Sequence, residues 1–354
     1  YPYTFSTSQN SYDAGGNPNP FNSSISAVMY KIMTILGEKM NEPEITDVYK
    51  YAYNTVVESF RQRYLNNNFP AERVSESYFA GQWLAMHLKL GEIWTKEETD
   101  YVLNCLDGYY HPYYNMLGFP QGTYNEWTPY LLMHYGGLLL NTQRQNQFEV
   151  LQKDSYTRQF KNRDYVFNHP LDILPQVTSA KYVSNNISGD RQYISIPSIW
   201  RNYYDMIGYY RDCSTKELWL KPQLLPEMNH EMTNAAYVSS EGYGTISCNE
   251  MKSEGSEAYQ NKIIEFKPEK NIYVSNLYLQ DNFGADESIK VTINNEKAEF
   301  KRIGEGYTKE LEVNYNNEIT SDGIVISVSG NPGAEPPAVP EKPDDFSTPP
   351  PIAE

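Results

Sequence analysis

The stretch SSISAVMYKIMTILGEKM, residues 23–40, decides the fold of the first half of the chain. Its apolar side chains recur at the i, i+3, i+4, i+7 spacing that places them on one helix face: Ile25, Val28, Met29, Ile32, Met33, Leu36 and Met40. This period predicts an amphipathic helix. A second stripe with the same spacing, from Tyr49 to Tyr64, predicts the next helix.

Helical signals continue to about Asp212, and capping residues mark where the further helices begin and end. These are Gly91 after a helix over Tyr78–Leu90, the capping box Thr95–Glu98, and Pro129 and Pro197 at the starts of two helices, the second running through Ile199–Tyr210. Helices that follow one another in this way predict antiparallel pairs arranged as an (α/α) toroid-like domain, complete or partial. In such a domain the loops at one rim build a pocket.

After Cys213 the periodicity changes to short alternating or β-branched runs, which predict strands. The runs are Glu217–Leu220, Tyr243–Cys248, Ile263–Phe266, Ile272–Leu279, Ile289–Ile293, Glu310–Val313 and Ile324–Val328. Asn294-Asn295-Glu296 reads as a hairpin turn between two strands. We therefore expect a mainly α protein: a helical domain over 1–213, a small all-β sandwich over 214–330, and a Pro-rich linker over 331–354.

Charge and composition narrow the class of ligand. The formal net charge is −16, which argues against nucleic acid and anionic membranes as partners because both need clustered Lys and Arg. The 32 tyrosines suit a surface that stacks on sugar rings and hydrogen-bonds their hydroxyl groups, so we expect a neutral carbohydrate ligand. Aromatic core packing is the alternative explanation for any single tyrosine.

Several kinds of site are not supported by the sequence. No apolar run approaches the length of a membrane span, and no glycine-rich phosphate-binding motif stands between a strand and a helix. The five histidines lack paired-ligand spacing, so we predict no metal and no cofactor. The loop Asp281–Asp286 does not fit an EF-hand, and a polar β-turn is favoured there over a calcium site.

The two ends of the sequence suggest a segment of a longer extracellular protein. The chain opens at Tyr1 without an initiator methionine or a signal peptide. From Gly330 to Glu354 proline alternates with small and polar residues, which predicts an extended spacer. We expect an extracellular or cell-surface location, with further domains upstream and beyond the Pro-rich tail.

Two segments carry a resemblance to a known family. Ser75–Trp83, which ends in Ala-Gly-Gln-Trp, resembles a segment of glycoside hydrolase family 116, the bacterial β-glucosidases related to non-lysosomal glucosylceramidases. Gln9–Asp13 is similar to that family's Thr-Tyr-Asp segment, and weaker similarity extends to Arg191–Trp200. The resemblance covers about residues 5–210 and implies hydrolysis of β-linked glucosides by carboxylate acid/base chemistry.

The family's functional residues carry over only in part. The family's acid/base aspartate falls at Ser77 here, and Glu76 is the nearest substitute. Its nucleophilic glutamate falls near Tyr3, where no carboxylate stands, and its sugar-holding glutamate falls at Leu171, next to Asp172. Asp13 matches a residue that touches the sugar in the family. The resemblance and the positions of carboxylates beside aromatic residues thus nominate these candidates: Glu76 and Asp13 for catalysis, and Tyr12, Trp83, Glu126, Trp127, Asp172 and Arg191 for substrate binding.

Two functional readings stay open on this basis. The first is a glycoside hydrolase, which needs two carboxyl groups about 5 Å apart for retention or about 6.5 to 9.5 Å apart for inversion. The second is a catalytically inactive carbohydrate-binding or structural module, which the residues at Tyr3, Ser77 and Leu171 favour.

Overall fold

Helices occupy the first part of the described chain and strands the second. The computed structural model describes residues 20–65, 80–107, 129–156, 172–173, 187–188, 196–253, 259–284 and 288–333. The chain divides into two compact units: Tyr1–Thr142 with Gln147–Ile199 and Ala338–Glu354, and Gln143–Asn146 with Trp200–Pro337. The domain boundaries at 213 and 330 remain predictions.

Seven α-helices are present in the described residues, and the two sequence stripes both form helices. Their bounds are α1 Pro20–Met40, α2 Pro43–Phe60, continued by a π-helical turn Arg61–Leu65, α3 Ala80–His87, α4 Lys96–Asp107, α5 Pro129–Asn141, α6 Gln145–Tyr156 and α7 Ile196–Ile207.

The start of α4 confirms the predicted capping box. The Thr95 N–H donates to Glu98 Oε2 at 2.9 Å, and the Glu98 N–H donates to Thr95 Oγ1 at 3.3 Å, so two N–H groups at the helix start are paired. Glu98 also accepts from Arg61 Nε at 2.6 Å and Arg61 Nη2 at 3.1 Å. One carboxylate therefore caps α4 and ties it to the end of α2.

Helices α1 and α3 approach closely because Gly81 carries no side chain. A Cβ atom at Gly81 would lie 2.1 Å from the Ser24 carbonyl oxygen, a distance that no Cβ tolerates. The Gly81 N–H donates to Ser24 Oγ at 3.1 Å instead. Backbone approach of this kind buries Ser24 and Gly81 and fixes where α3 crosses α1.

Thirteen strands lie in the described residues, and eleven of them build the second unit. Asp172–Ile173 (β1) and Ile187–Ser188 (β2) form a short antiparallel pair. The others are β3 Tyr209–Asp212, β4 Glu217–Leu220, β5 Glu231–Ser239, β6 Gly242–Ser253, β7 Tyr259–Pro268, β8 Ile272–Gln280, β9 Lys290–Ile293, β10 Glu296–Lys297, β11 Lys301–Ile303, β12 Glu310–Ile319 and β13 Ile324–Gly330.

The eleven strands form two sheets, in the orders β10-β9-β13-β7-β6-β5 and β11-β12-β8-β4-β3. All neighbours are antiparallel except β4 and β8, which are parallel. Side chains from both sheets share one buried core, to which β4 contributes Leu218 and Leu220 and β7 contributes Ile264 and Phe266. Asn294 and Asn295 both have positive φ, 51° and 67°, as the predicted hairpin turn between β9 and β10 requires.

The prediction of a mainly α protein is wrong. Over the part of the chain that the structure describes, helix accounts for 43% and strand for 35% of residues, in sheets of five and six strands. The prediction underestimates the strands because alternation was visible only in their apolar centres, whereas pairing extends into polar flanks, as in the 12-residue strand β6. The described helices do not establish the predicted α/α toroid.

The boundary between helix α7 and the first long strand also differs from the prediction. The predicted helix runs to Tyr210, but α7 ends at Ile207 and β3 begins at Tyr209. Gly208 stands between them with φ of 67°, a left-handed conformation that ends helices and favours glycine. Tyr209 and Tyr210 therefore belong to a sheet.

Candidate functional site

Most of the predicted site residues lie outside the described residues. These are Tyr12, Asp13, Glu76, Glu126, Trp127 and Arg191. Asp172 lies in β1, where its backbone pairs with Ser188, and its side chain is outside the description. The catalytic and binding roles of these seven residues stay predictions.

Trp83 is the predicted binding residue whose surroundings are described. It lies on α3 and is 4% exposed. Its ring stacks on His134 of α5, with centroids 4.9 Å apart and planes at 22°, and a Cβ at Gly137 would lie 1.9 Å from Trp83 Nε1. Trp83 thus packs between α3 and α5, and its role in substrate binding stays a prediction.

Gln82, next to Trp83, is fully buried and belongs to a hydrogen-bond network. Its Oε1 accepts from the N–H groups of Ile93 and Trp94, at 2.9 and 3.1 Å. Its Nε2 donates to the Trp94 carbonyl oxygen and to Thr99 Oγ1, both at 3.2 Å. In the described structure the Ala-Gly-Gln-Trp segment therefore holds helices together.

An open pocket lies at one end of the second unit, where several strands begin or end. It is a shallow depression of about 210 Å³ that includes open solvent, and its enclosed room is about 10 Å³, roughly that of one water molecule. The start of β3, the turn between β5 and β6, and the turn between β7 and β8 contribute its walls. The polar and aromatic side chains that line it are Tyr209, Tyr237, Ser239, Glu241, Tyr243 and Lys270.

The floor of the pocket is a pair of stacked tyrosines that also belong to the core. The rings of Tyr209 and Tyr237 have centroids 4.2 Å apart and planes at 21°, and Tyr237 also stacks on Phe266 at 5.3 Å. Burial raises the pKa of Tyr209 to about 12, partly offset by a hydrogen bond with Ser239. Burial also raises the pKa of Tyr237. Both hydroxyl groups are therefore neutral at physiological pH and able to donate and accept.

The rim carries an ionised carboxylate held by two cations. Glu241 Oε2 accepts from Arg211 Nε at 2.6 Å, and Glu241 Oε1 lies 3.2 Å from Lys216 Nζ. Burial would raise the pKa of Glu241, but the Arg211 and Lys216 interactions outweigh it, so the pKa is lowered. Arg211 Nη2 also donates to the Tyr273 carbonyl oxygen at 2.7 Å, which fixes the guanidinium behind the rim.

The outer part of the rim is an aromatic ring beside a lysine. Tyr243 is 57% exposed and lies at the start of β6, opposite Val238 of β5. Its carbonyl oxygen accepts from the Glu269 N–H at 2.8 Å, which joins the β5–β6 turn to the β7–β8 turn that carries Lys270. The pocket thus offers a ring face, neutral hydroxyl groups, an anion and a cation.

A second aromatic cluster in this unit is rich in carboxylates, and its two rings are buried. Trp219 stacks on Tyr278, with centroids 4.5 Å apart and planes at 13°, and each is 7% exposed. The Tyr278 hydroxyl donates to Glu217 Oε1 at 2.8 Å and lies 3.3 Å from Glu312 Oε1. Burial, followed by these carboxylates, raises the pKa of Tyr278. We assign this cluster a structural role.

Asp281 begins the loop that the sequence offered as a less favoured calcium site, and its carboxylate pairs with the side chain of Arg302. Arg302 Nε and Nη2 donate to the two carboxylate oxygens of Asp281 at 2.6 and 2.9 Å. Arg302 also donates to the carbonyl oxygens of Phe283 and Gly284.

Among the residues that the structure describes, no group of three His, Cys, Asp or Glu side chains is placed to hold a metal ion. None of the described helices has the length and apolar character of a membrane span.

Sequence reasoning missed the pocket because its residues come from the start of β3 and from two turns later in the chain. A local clue was present at the turn Ser-Ser-Glu-Gly-Tyr-Gly, residues 239–244, where an aromatic residue stands between two glycines. Gly242 has φ of 139°, and side chains at such turns project from the sheet.

Comparison with known proteins gives no family assignment. No protein-family model matches the chain, and no curated protein matches it, so the resemblance to glycoside hydrolase family 116 is not supported. A solved structure of a GH127 β-L-arabinofuranosidase from Geobacillus stearothermophilus T6 matches with a TM-score of 0.28 and 11% sequence identity. The match covers 84% of this chain and 53% of that protein, so the chain spans about half of its length.

Proposed function

We propose that this chain is a carbohydrate-active protein whose second unit binds a sugar in the pocket between the β5–β6 and β7–β8 turns. The observation that carries the proposal is the exposed ring of Tyr243 beside an ionised carboxylate and two neutral tyrosine hydroxyl groups. A tyrosine ring packs against the C–H face of a sugar, while polar groups bind its hydroxyls. An apolar patch with a few convergent polar groups is the usual form of a small-molecule site.

The dimensions of the pocket favour a single sugar unit over a long chain. The enclosed space of about 10 Å³ is far smaller than the roughly 300 to 1,000 Å³ of typical ligand sites, so a ligand would rest against the open rim. A platform for an extended polysaccharide would need several exposed rings in a row, whereas Tyr243 is the exposed ring among the lining residues. We therefore expect binding of a chain end or a monosaccharide.

Isothermal titration calorimetry on the full chain, with a panel of neutral and charged methyl glycosides, tests this proposal. Tyr243→Ala is expected to weaken binding about tenfold, equivalent to about 1.4 kcal/mol, because the ring contact is lost. Tyr51→Ala is the matched control, since Tyr51 is 75% exposed on α2 and does not line the pocket. Absence of binding to every glycoside would refute the proposal.

Hydrolysis of β-linked glucosides is the second candidate, and the resemblance in the helical segment favours it. It would rest on Glu76 as acid and Asp13 as its partner, because the pocket in the β unit is lined by one carboxylate, Glu241, among the described residues, and glycoside cleavage needs two. Turnover of an aryl β-glucoside that disappears in Glu76→Gln would support hydrolysis. Binding without turnover would identify a catalytically silent module. Either function is compatible with the extracellular or cell-surface location that the Pro-rich tail suggests.

A further inference from the structure

We infer that the pocket favours a sugar unit that bears a carboxylate, with Lys270 as its charge partner. This inference rests on the sugar binding proposed above and names the class of sugar. It departs from the expectation of a neutral ligand, which came from the net charge of the whole chain.

The pocket does not share the acidic balance of the whole chain, because one carboxylate and one lysine line it. Glu241 is already compensated by Arg211 and Lys216. Lys270 lines the pocket, is exposed, and has no ion-pair partner among the described residues. Glu269 is the neighbouring free carboxylate, with its Oε2 3.9 Å from where a Cβ of Gly242 would lie. Lys270 is therefore a cation of the pocket lining that pairs with no carboxylate among the described residues.

The distance between charges determines whether a bound ligand responds to Lys270 or to the net charge of −16 of the whole chain. At physiological ionic strength, exposed charges further apart than about 8 Å are largely screened from each other. A ligand carboxylate in the pocket would therefore respond to Lys270 and its close neighbours and only weakly to acidic residues elsewhere on the surface. The acidic character of the chain does not exclude an acidic ligand at this position.

Hydrogen-bond donors behind the rim also suit an anion. Arg211 Nη1 is buried and has no hydrogen-bond partner among the described residues, while the other two nitrogens of the same guanidinium are paired. The pKa values of Tyr209 and Tyr237 are raised by burial, and the nearby Arg211 charge offsets part of that rise. Glu241 acts on both pKa values in the opposite direction, so the two hydroxyl groups stay neutral and can donate to an oxyanion.

A pair of ligands that differ only at C6 tests the inference. We expect the full chain to bind methyl β-glucuronoside about fivefold more tightly than methyl β-glucoside at near-physiological salt, the upper range for one exposed charge pair. In Lys270→Gln the ratio of the two affinities should fall to about one, and in Lys270→Glu it should invert. Lys290→Gln, at an exposed lysine of β9 that does not line the pocket, should keep the wild-type ratio.

The outcomes separate this inference from the proposed function. Equal or tighter binding of the neutral glucoside to the wild-type chain would overturn the preference for a carboxylate and leave sugar binding in place. An unchanged affinity ratio in Lys270→Gln would overturn the role of Lys270. Failure of both sugars, and of the wider panel, to bind would overturn sugar binding itself. Circular dichroism of each variant confirms that it is folded.

Discussion

Gln82 is an example of a residue whose presence folding alone explains. All of its polar atoms are paired inside the first unit, with the backbone of Ile93 and Trp94 and with the Thr99 hydroxyl. A neutral amide is the side chain that both donates and accepts in this way. The glutamine of the Ala-Gly-Gln-Trp segment therefore fixes the loop before α4, and its presence carries no information about catalysis.

Replacing Gln82 with Met should destabilise the chain by about 2 to 4 kcal/mol. The two side chains have similar volume, but the substitution leaves buried N–H and C=O groups without partners, at about 1 to 3 kcal/mol for each unsatisfied group. Urea denaturation of the full chain measures the change. Gln62→Met, at an exposed glutamine, is the control and should stay within about 0.5 kcal/mol of wild type. A loss below about 1 kcal/mol for Gln82→Met would show that the network is not stabilising.

At the scale of elements, helix α7 protects the edge of the six-stranded sheet. Strand β5 is the last strand on that side, so its outer N–H and C=O groups would be open to pairing with another chain. The Tyr204 hydroxyl accepts from the Val238 N–H at 3.0 Å and donates to the Val238 carbonyl oxygen at 2.8 Å. The Tyr203 hydroxyl donates to the Ala236 carbonyl oxygen at 2.7 Å. Two side chains of α7 thus take the place of a neighbouring strand.

Tyr204→Phe should therefore lower stability by about 1 kcal/mol and increase aggregation, because Val238 would again present an unpaired edge. Thermal denaturation and light scattering on the full chain measure the two effects. Tyr51→Phe, at an exposed tyrosine of α2, should change neither. If Tyr204→Phe loses stability without any rise in scattering, the hydroxyl contributes a hydrogen bond but does not guard the edge.

At the scale of the whole molecule, local features were predictable and features that depend on long-range pairing were not. The capping box formed by Thr95 and Glu98 predicts the start of α4. Strand β4 has the bounds that alternation predicts, Glu217–Leu220. Strand β5 was missed because Met232 and Tyr237, both buried, are five residues apart, which breaks the period of two. A register shift between Met232 and Ala235 restores the phase.

The pocket was unpredictable for a related reason. Tyr209, Glu241 and Lys270 meet because β3 lies in one sheet, the β5–β6 turn belongs to the other, and the β7–β8 turn connects the two. No local sequence pattern predicts that these three residues lie close together, since each is ordinary within its own segment. The predicted catalytic residues lie outside the described structure, and the comparisons do not support the resemblance on which they rest.

The tyrosine content also predicts how the whole chain responds to alkaline pH. Burial raises the pKa of Tyr64 in the first unit and of Tyr209 in the second from 10.0 to about 12. Because the folded pKa lies above the unfolded one, the folded state keeps its protons longer. The stability that this contributes is complete below pH 10 and is lost as the pH rises from about 10 to 12.

We therefore expect the chain to stay folded up to about pH 10 and to unfold cooperatively between about pH 10 and 12. Two units of pKa correspond to at most about 2.7 kcal/mol for each such tyrosine, and solvent screening reduces this contribution. Tyrosinate absorbance and far-ultraviolet circular dichroism, followed together, should change over the same pH range. In Tyr209→Phe the loss of the β-sheet signal should shift to higher pH. Complete ionisation of tyrosine near pH 10 with the dichroism unchanged would mean that these hydroxyl groups are open to solvent.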